Sequence, residues 1–219
     1  MINFIYVTTI LIISILLING INSSISYAPK KIKYITLITL ILALIRFIVL
    51  ILLSLNESPL YIYLLKPIVF LEVVYIPIIG FISLYIFSRN DNIKLNYFYF
   101  VAVIFIGIYL ITTLRIPVNT TISSFYGYRL ILHKDYGMNT LMFIFNSIYL
   151  VISIKQLSNK YSNKRGLILV AVSSVLTIGT FLVAILNPVF WGLRLLGELL
   201  WIITLGYGLE KFKKLKINN

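Results

Sequence analysis

Five ionisable side chains lie inside long apolar stretches of this sequence of 219 residues: Arg46, Lys66, Glu72, Arg194 and Glu198. A charge at the centre of a membrane helix costs about 2.5–3.5 kcal/mol, so such residues are retained for pairing or for function. Counting along each stretch at about 1.5 Å per residue predicts that Arg46, Glu72 and Glu198 lie near the membrane midplane. Lys66 is predicted to be shallow enough to extend its amine to the surface. The four deeper charges are therefore the first candidates for a ligand or ion pathway.

Two tryptophans flank the pair of charges near the C-terminus. Arg194 and Glu198 are four positions apart and therefore share a helix face. Trp191 and Trp201 continue that face at helical spacing. The spacing predicts a stripe of these four side chains facing the interior of a helical bundle, and it adds both tryptophans to the candidate pathway.

Two prolines, Pro67 and Pro77, bracket Glu72 in its apolar stretch. Each proline removes a backbone donor and favours a kink. Backbone groups released by a kink are tolerated in a membrane only where protein or a watery cavity satisfies them. The prolines therefore predict irregular backbone beside a buried carboxylate.

Three interpretations of these charges stay open at the level of sequence. In the first, the charges are structural: Arg194 neutralises Glu198 within one helix, and Arg46 ties its helix to that of Glu72. In the second, they line a polar pocket or a proton path that opens to the outside. In the third, they belong to gating machinery. Proton-coupled transporters also use buried carboxylates beside kinked backbone, so the pattern does not separate a sensor from a transporter.

Composition assigns the chain to the membrane. Its residues are 60% hydrophobic and only 11% charged, and the mean hydropathy is +1.01. Soluble domains carry about 45–50% apolar and about 25% charged residues. The net charge of +13 would suggest nucleic acid on a soluble chain, but this chain is too apolar, and we expect no nucleic acid partner.

The residue types of a catalytic or metal centre are scarce. The sequence has no Cys and one His, which excludes disulfides, thiolate sites and multi-histidine metal sites. It shows no Ser/His or paired-Asp arrangement and no Gly-rich phosphate loop. The sequence therefore predicts a non-enzymatic protein with neither a metal nor a cofactor.

Seven stretches approach the roughly 20 apolar residues that a membrane helix needs, and the fifth is the shortest of them. We predict spans at about 2–20, 34–55, 60–87, 95–114, 139–154, 166–186 and 188–208. The runs are continuously apolar rather than alternating, which disfavours a β-barrel. The predicted fold is an all-α bundle of seven transmembrane helices that forms one domain over residues 1–210. A short basic tail, residues 211–219, follows it.

The positive charges predict the orientation of these spans. Most of the 19 Lys and Arg residues fall in the loops 1–2, 3–4 and 5–6 and in the C-terminal tail, which share one side. The other side has only Arg115, Arg129 and Lys134, all in the loop between spans 4 and 5. The positive-inside rule places the N-terminus outside and the C-terminus in the cytoplasm of a cell-membrane protein. We expect the basic cytoplasmic face to contact anionic lipid headgroups.

The loop between spans 4 and 5, about residues 115–138, is the longest external connection. It carries the candidate ligand contacts Tyr126, Tyr128, Arg129 and His133. Loops of this length are usually binding loops or lids, or else disordered. Tyrosines among apolar residues are also typical of a segment at the lipid headgroups, so a lid and an interfacial connector both stay possible.

The arrangement resembles the seven-helix sensor region of some bacterial membrane histidine kinases. The shared features are the external N-terminus, the third span with Tyr75-Ile-Pro77-Ile-Ile-Gly80-Phe81, and the long external loop before Phe145-Asn-Ser-Ile-Tyr149. A basic loop between spans 5 and 6 completes the likeness, which covers about residues 1–210. The resemblance implies a sensor. Because this chain ends at Asn219, without a kinase or cyclase, we expect any output to pass to a separate partner.

We therefore expect a sensor or receptor that binds a small or lipidic ligand from the outer side and signals to another membrane or signalling protein. The first alternative is a small proton-coupled transporter or permease subunit that uses Glu72 and Glu198. The second is an accessory subunit that packs against a larger membrane complex.

Overall fold

The computed structural model describes residues 2–55, 63–89, 96–123, 127–132 and 136–217, and these residues are mostly helical. In chain order the elements are α1 (Ile2–Tyr27), α2 (Lys30–Leu55), α3 (Lys66–Val69), α4 (Glu72–Ser88), α5 (Asn96–Arg115), β1 (Val118–Ser123), β2 (Gly127–Leu132), α6 (Tyr136–Leu157), α7 (Lys164–Leu186), a 3-10 helix (Pro188–Leu193) and α8 (Arg194–Ile217). The predicted helical bundle is present. The all-α expectation is wrong in one place, because two antiparallel strands connect α5 to α6.

Six helices in the described part of the chain are long and apolar enough to cross a membrane. They comprise Phe4–Tyr27, Lys30–Leu55, Tyr63–Ser88, Gly137–Leu157, Lys164–Leu186 and Val189–Lys213. The predicted fourth span corresponds to α5, in which Tyr99–Arg115 forms an apolar helical stretch shorter than the other six. Length and composition thus support a membrane-embedded helical bundle, while the seventh span and the sidedness of the chain stay predictions.

Asparagine and proline interrupt the chain between α7 and α8. α7 ends at Leu186, and the side chain of Asn187 accepts a hydrogen bond from the amide of Val189 at 3.0 Å. Asparagine is among the best residues for such a cap. Pro188 follows at the first position of the 3-10 helix, where its missing N–H is not needed. The last predicted span is therefore a 3-10 turn followed by α8.

α4 is the central helix. Nearly all of its residues are buried, as expected for a helix that is apolar on every side, and it packs against α2, α5, α6, α7 and α8. At its C-terminal end, Phe87 is fully buried. A Cβ on Gly166 of α7 would lie only 2.3 Å from the Phe87 ring, so α7 approaches this closely because the residue is glycine.

α1 and α8 lie side by side and run in the same direction. At one end, Ile5 and Tyr6 of α1 line a groove together with Val189 and Phe190 of the 3-10 helix. At the other, the amine of Lys213 lies 5.7 Å from the centre of the Tyr27 ring. We call the end with the 3-10 helix the hairpin end, because β1 and β2 lie there too, and the opposite one the far end.

The hairpin of β1 and β2 covers part of the hairpin end. Its strands pair antiparallel, with Val118 opposite Leu132, and alternate side chains point to opposite faces. Leu130 and Leu132 are buried in a small cluster with residues of α2, α3, α5 and α6. Ile122 of the outer strand is 76% exposed. The hairpin is therefore anchored to the bundle through β2.

A glycine permits the close approach of β2 to α2. Gly127 has a φ of +72°, a conformation that residues with a Cβ rarely adopt. A Cβ at this position would also lie 2.9 Å from the carbonyl oxygen of Leu53. Both the backbone conformation and the space therefore require glycine where β2 begins.

Candidate functional site

Arg46 of α2 is the centre of a buried charge network. Only 1% of the residue is exposed. Its Nη2 donates to Glu72 Oε2 of α4 at 2.5 Å, and its Nη1 donates to Glu198 Oε2 of α8 at 2.6 Å. The same Nη1 donates to the hydroxyl of Tyr75 at 2.8 Å. One guanidinium thus connects three helices, as its fork of donors allows.

The backbone break before Glu72 supplies the remaining acceptor of Arg46. α3 ends at Val69 and α4 begins at Glu72. The amide of Val73 donates to Phe70, so it does not make the usual helical bond to the carbonyl of Val69 four residues earlier. Arg46 Nε donates to that carbonyl at 2.8 Å. The irregular backbone predicted from the prolines is thus satisfied by protein.

Glu72 bridges two arginines. Its Oε2 accepts from Arg46, and its Oε1 accepts from Arg194 Nη2 at 2.5 Å. Glu72 is also the first residue of α4, and the N-terminus of a helix favours a negative charge. Charge-assisted bonds of this kind are among the strongest in proteins. Glu72 therefore connects α4 to both α2 and α8.

Glu198 is bonded through one oxygen. Its Oε2 accepts hydrogen bonds from Arg46 and from the hydroxyl of Tyr75. Its Oε1 is buried and has no hydrogen-bond partner among the described residues. Glu198 thus keeps one buried carboxylate oxygen whose bonding capacity is unused.

The predicted neutralisation of Glu198 by Arg194 within one helix is wrong. The ion pairs run between helices instead: Arg194 pairs with Glu72 of α4, and Glu198 pairs with Arg46 of α2. Spacing along α8 brings the two residues onto one face. The facing helices nevertheless present more direct partners, because the break before α4 holds the Glu72 carboxylate between two guanidiniums. The pairing of Arg46 with Glu72 agrees with the interhelical alternative.

The two tryptophans lie in different environments and make different contacts. Trp201 is fully buried, and its Nε1 donates to Asn146 Oδ1 of α6 at 3.2 Å. Trp191 lies in the 3-10 helix and is half-buried. The guanidinium carbon of Arg194 is 5.9 Å from the centre of its ring. The predicted stripe therefore divides into a packing residue, Trp201, and a neighbour of the charges, Trp191.

Among the candidates in the connecting segment, Arg129 joins the site. It lies on β2, and its guanidinium carbon is 4.6 Å from the centre of the Trp191 ring, a cation–π geometry. It lines a small cavity together with Glu72. Tyr128, also on β2, packs at the small cluster beneath the hairpin. Tyr126 and His133 lie outside the described residues.

The hairpin and the charges enclose a small cavity of about 10 Å³. Its lining includes Arg46, Glu72 and Arg194 from the network, Arg129 from β2, and Trp191. Such a volume is at the lower limit for one water molecule. A larger group could therefore occupy this cavity only if its lining, which includes part of β2, moved.

Two members of the site were not among the predicted residues. Tyr75 lies three positions after Glu72, a spacing that places both on one helix face, and this spacing could have identified it. Phe181 of α7 lies 3.9 Å from the guanidinium carbon of Arg194, and no pattern in the sequence indicates this contact.

The network offers donors and acceptors rather than a metal site. Within the described ranges, no three His, Cys, Asp or Glu side chains are grouped as metal ligands would be. Fold and site define a membrane-type helical bundle with an interhelical charge network beneath a β-hairpin. No protein-family model, curated protein or solved structure matches the chain. The resemblance to sensor regions of histidine kinases therefore stays a prediction.

Proposed function

We propose that this chain is a non-enzymatic receptor of the cell membrane, which binds a small or lipidic ligand from the outer side at its hairpin end. The observation that carries the proposal is the position of β2. Its residue Arg129 lines the same small cavity as Glu72 and Arg194. We expect a ligand that reaches these charges from the hairpin end to displace the hairpin, so that occupied and empty states differ in structure.

The charge network supplies a route from such a site into the bundle. Glu72 and Arg46 connect α4 to α2, and Glu72 and Arg194 connect α4 to α8. A ligand group that competes for either arginine changes the partners of α4. Ligands shift a conformational equilibrium only through different affinities for its two states, and exchange of an ion-pair partner provides such a difference. The altered bundle would then act on another membrane or signalling protein.

Movement of the hairpin is the test of this proposal. Because the sequence has no Cys, spin labels can be attached at Ile122→Cys of β1 and Leu186→Cys of α7, both exposed positions. The distance between the labels is measured in phosphatidylcholine nanodiscs, alone and with oleate, monoolein or a total lipid extract of the host membrane. We expect at least one addition to shift the distance distribution. A distribution unchanged by all three would contradict the receptor proposal.

A proton-coupled transporter is the second candidate, and Glu198 Oε1 favours it. This buried carboxylate oxygen has no hydrogen-bond partner in the described part of the chain, so it is a site at which a proton could bind. We expect proteoliposomes of the receptor to show no uptake of protons driven by a pH gradient. Uptake that disappears in a well-folded Glu198→Gln variant and persists in Glu210→Gln, at the exposed far end, would favour the transporter.

A further inference from the structure

We propose that the ligand is a neutral amphiphile with a hydroxylated headgroup, of the monoacylglycerol type. Its hydroxyls bond Arg194 and Glu198, and its hydrocarbon chain occupies the groove between α1 and the 3-10 helix. This inference rests on the receptor function proposed for the same site, and it specifies the chemistry of the ligand.

The first observation is that the residues joined by ion pairs compensate one another's charge. Arg46 and Arg194 supply two positive charges, and Glu72 and Glu198 supply two negative ones. Each of the four side chains bonds at least one group of opposite charge. An ion added to this balanced set would lie in a region of low dielectric without a counterion of its own, which is costly. The ion-paired set therefore favours a neutral ligand group.

The second observation is that two buried atoms of opposite hydrogen-bonding character are unused. Arg194 is 8% exposed, and its Nε, a donor, has no hydrogen-bond partner in the described ranges. Glu198 is 1% exposed, and its Oε1, an acceptor, has no partner there either. Buried polar atoms without partners destabilise a protein. A ligand that supplies one acceptor and one donor would therefore be bound favourably by this pair.

The chemistry of the two atoms selects a hydroxylated group. Arg194 and Glu198 lie on one face of α8, one helical turn apart, and Arg194 lines the small cavity. A carboxylate accepts from a guanidinium but has no proton to donate to Glu198, and an ammonium donates but cannot accept from Arg194. A hydroxyl does both. Two adjacent hydroxyls, as in a glycerol headgroup, can bond the two residues at once.

The third observation is an apolar groove of about 240 Å³ at the same end of the bundle. Ile5, Tyr6 and Thr9 line it from α1, and Val189 and Leu193 line it from the 3-10 helix. The surface is almost entirely apolar, and the Thr9 hydroxyl donates to the Ile5 carbonyl of its own helix at 2.8 Å. A groove of this volume and character accommodates part of an alkyl chain.

The 3-10 helix joins the groove to the charged residues. Phe190 and Gly192 line the groove, whereas Trp191 between them lines the cavity together with Arg194. Ligand sites are commonly apolar with a few polar groups that fix the orientation of the ligand. A molecule with an apolar chain and a hydroxylated end matches both surfaces, so the two adjacent surfaces favour an amphiphile over a free polyol or a plain hydrocarbon.

Quenching of Trp191 by brominated lipids tests the proposal. The full-length protein in phosphatidylcholine bilayers is titrated with the monoglyceride of dibromostearate and with the dimethyl ether of that monoglyceride, which has the same chain but no hydroxyl. Concentrations are compared per bilayer lipid. We expect the monoglyceride to quench at concentrations roughly tenfold lower, a factor that corresponds to about 1.4 kcal/mol. Trp191→Phe should abolish the selective quenching, because the remaining Trp201 is fully buried.

Variants separate the headgroup contact from the groove. Arg194→Lys keeps a positive charge for Glu72 but removes Nε, so the preference for the monoglyceride should fall severalfold. Arg115→Lys, at an exposed arginine of α5, is the matched control and should leave it unchanged. Thr9→Phe should fill the groove and weaken quenching by both lipids alike, whereas Ile12→Phe, at an exposed position of α1, should not. The comparison of the two lipids uses the wild-type chain and so does not depend on the folding of any variant.

The outcomes distinguish this inference from the receptor proposal. Equal quenching by the monoglyceride and its ether would overturn the hydroxylated ligand, and quenching by ionised dibromostearate at still lower concentrations would overturn a neutral one. Complete protection by free glycerol, with Thr9→Phe behaving as wild type, would show a site for polyols and overturn the amphiphile. Selective quenching without any shift of the spin-label distance would support the ligand and contradict the receptor.

Discussion

The ion-pair partners of the four buried charged residues lie on facing helices rather than on the same helix. Arg46 donates to two carboxylates, a hydroxyl and a backbone carbonyl, so its charge is compensated without water. Glu72 pairs with two arginines, whereas Glu198 pairs with one, and its Oε1 has no hydrogen-bond partner within the described ranges. Removal of one partner of a buried pair costs about 3–5 kcal/mol, because the other charge remains without compensation. At this scale Arg46 and Glu72 are the most consequential residues, because each takes part in two of the three ion pairs.

Double-mutant cycles test the interhelical pairing of Arg194. We expect Arg194→Gln to couple to Glu72→Gln by on the order of 2 kcal/mol, because these side chains bond directly. Coupling to Glu198→Gln should be smaller, since it passes through Arg46 and Glu72. The matched control Glu210→Gln should be additive with Arg194→Gln, because Glu210 is exposed at the far end. Unfolding in detergent provides the free energies. A larger coupling to Glu198 than to Glu72 would restore the pair within α8.

At the scale of helices and strands, the break in the backbone between α3 and α4 positions the charged groups of the site. The interruption between α3 and α4 makes Glu72 the first residue of a helix. It also leaves the Val69 carbonyl free of a helical hydrogen bond, so that this carbonyl accepts one from Arg46. A second contact holds α6 against α4 below this break. The hydroxyl of Tyr149 donates to the carbonyl of Pro77 at 2.7 Å, and its ring occupies the space beside Gly80. The approach of α6 to α4 therefore depends on the small residue Gly80.

The glycines of α4 and α7 provide a matched test of this packing. A Cβ on Gly80 would lie 2.5 Å from the Tyr149 ring, so Gly80→Ala should destabilise the bundle by about 1–3 kcal/mol. Gly179 in α7 has nothing within 4 Å of an added Cβ. Gly179→Ala should therefore be neutral or stabilise by up to about 1 kcal/mol, the gain in helix propensity. Thermal unfolding in detergent measures both, and equal effects would contradict the packing of Tyr149 over Gly80.

At the scale of the whole molecule, the two ends of the bundle differ in the side chains and cavities that they contain, and the hairpin lies at one of them. The hairpin end holds the cavity, the apolar groove and Arg129. The far end holds Lys33, whose amine donates to the carbonyl of Ile25 at 2.7 Å, and Lys213 beside Tyr27. This distribution is consistent with a far end rich in lysine that faces anionic headgroups.

Reporter fusions test the predicted orientation. Fusions after Lys31, Lys160 and Lys213 should report the cytoplasmic side, because positively charged segments are retained there. A fusion near Tyr126 should report the external side. The fusions are compared in intact cells, with expression level as the control. A cytoplasmic signal from the Tyr126 fusion would reverse the orientation and place the hairpin and its cavity inside.

The sequence by itself determined that this chain is a helical protein of membrane composition and which charges are buried. These properties follow from hydropathy and from the distance along a span, both local in sequence. Irregular backbone beside Glu72 was likewise predicted, and the helix does break between Val69 and Glu72. Pro67 does not cause this break, because it lies at the start of α3, where its missing N–H is not needed. The partners of Arg194 and Glu198 were not predictable, because they depend on the rotation of each helix about its axis. Only the tertiary structure decided those rotations. It also decided that Arg129 lies over the network, since a hairpin is placed by packing of its buried face rather than by its own composition.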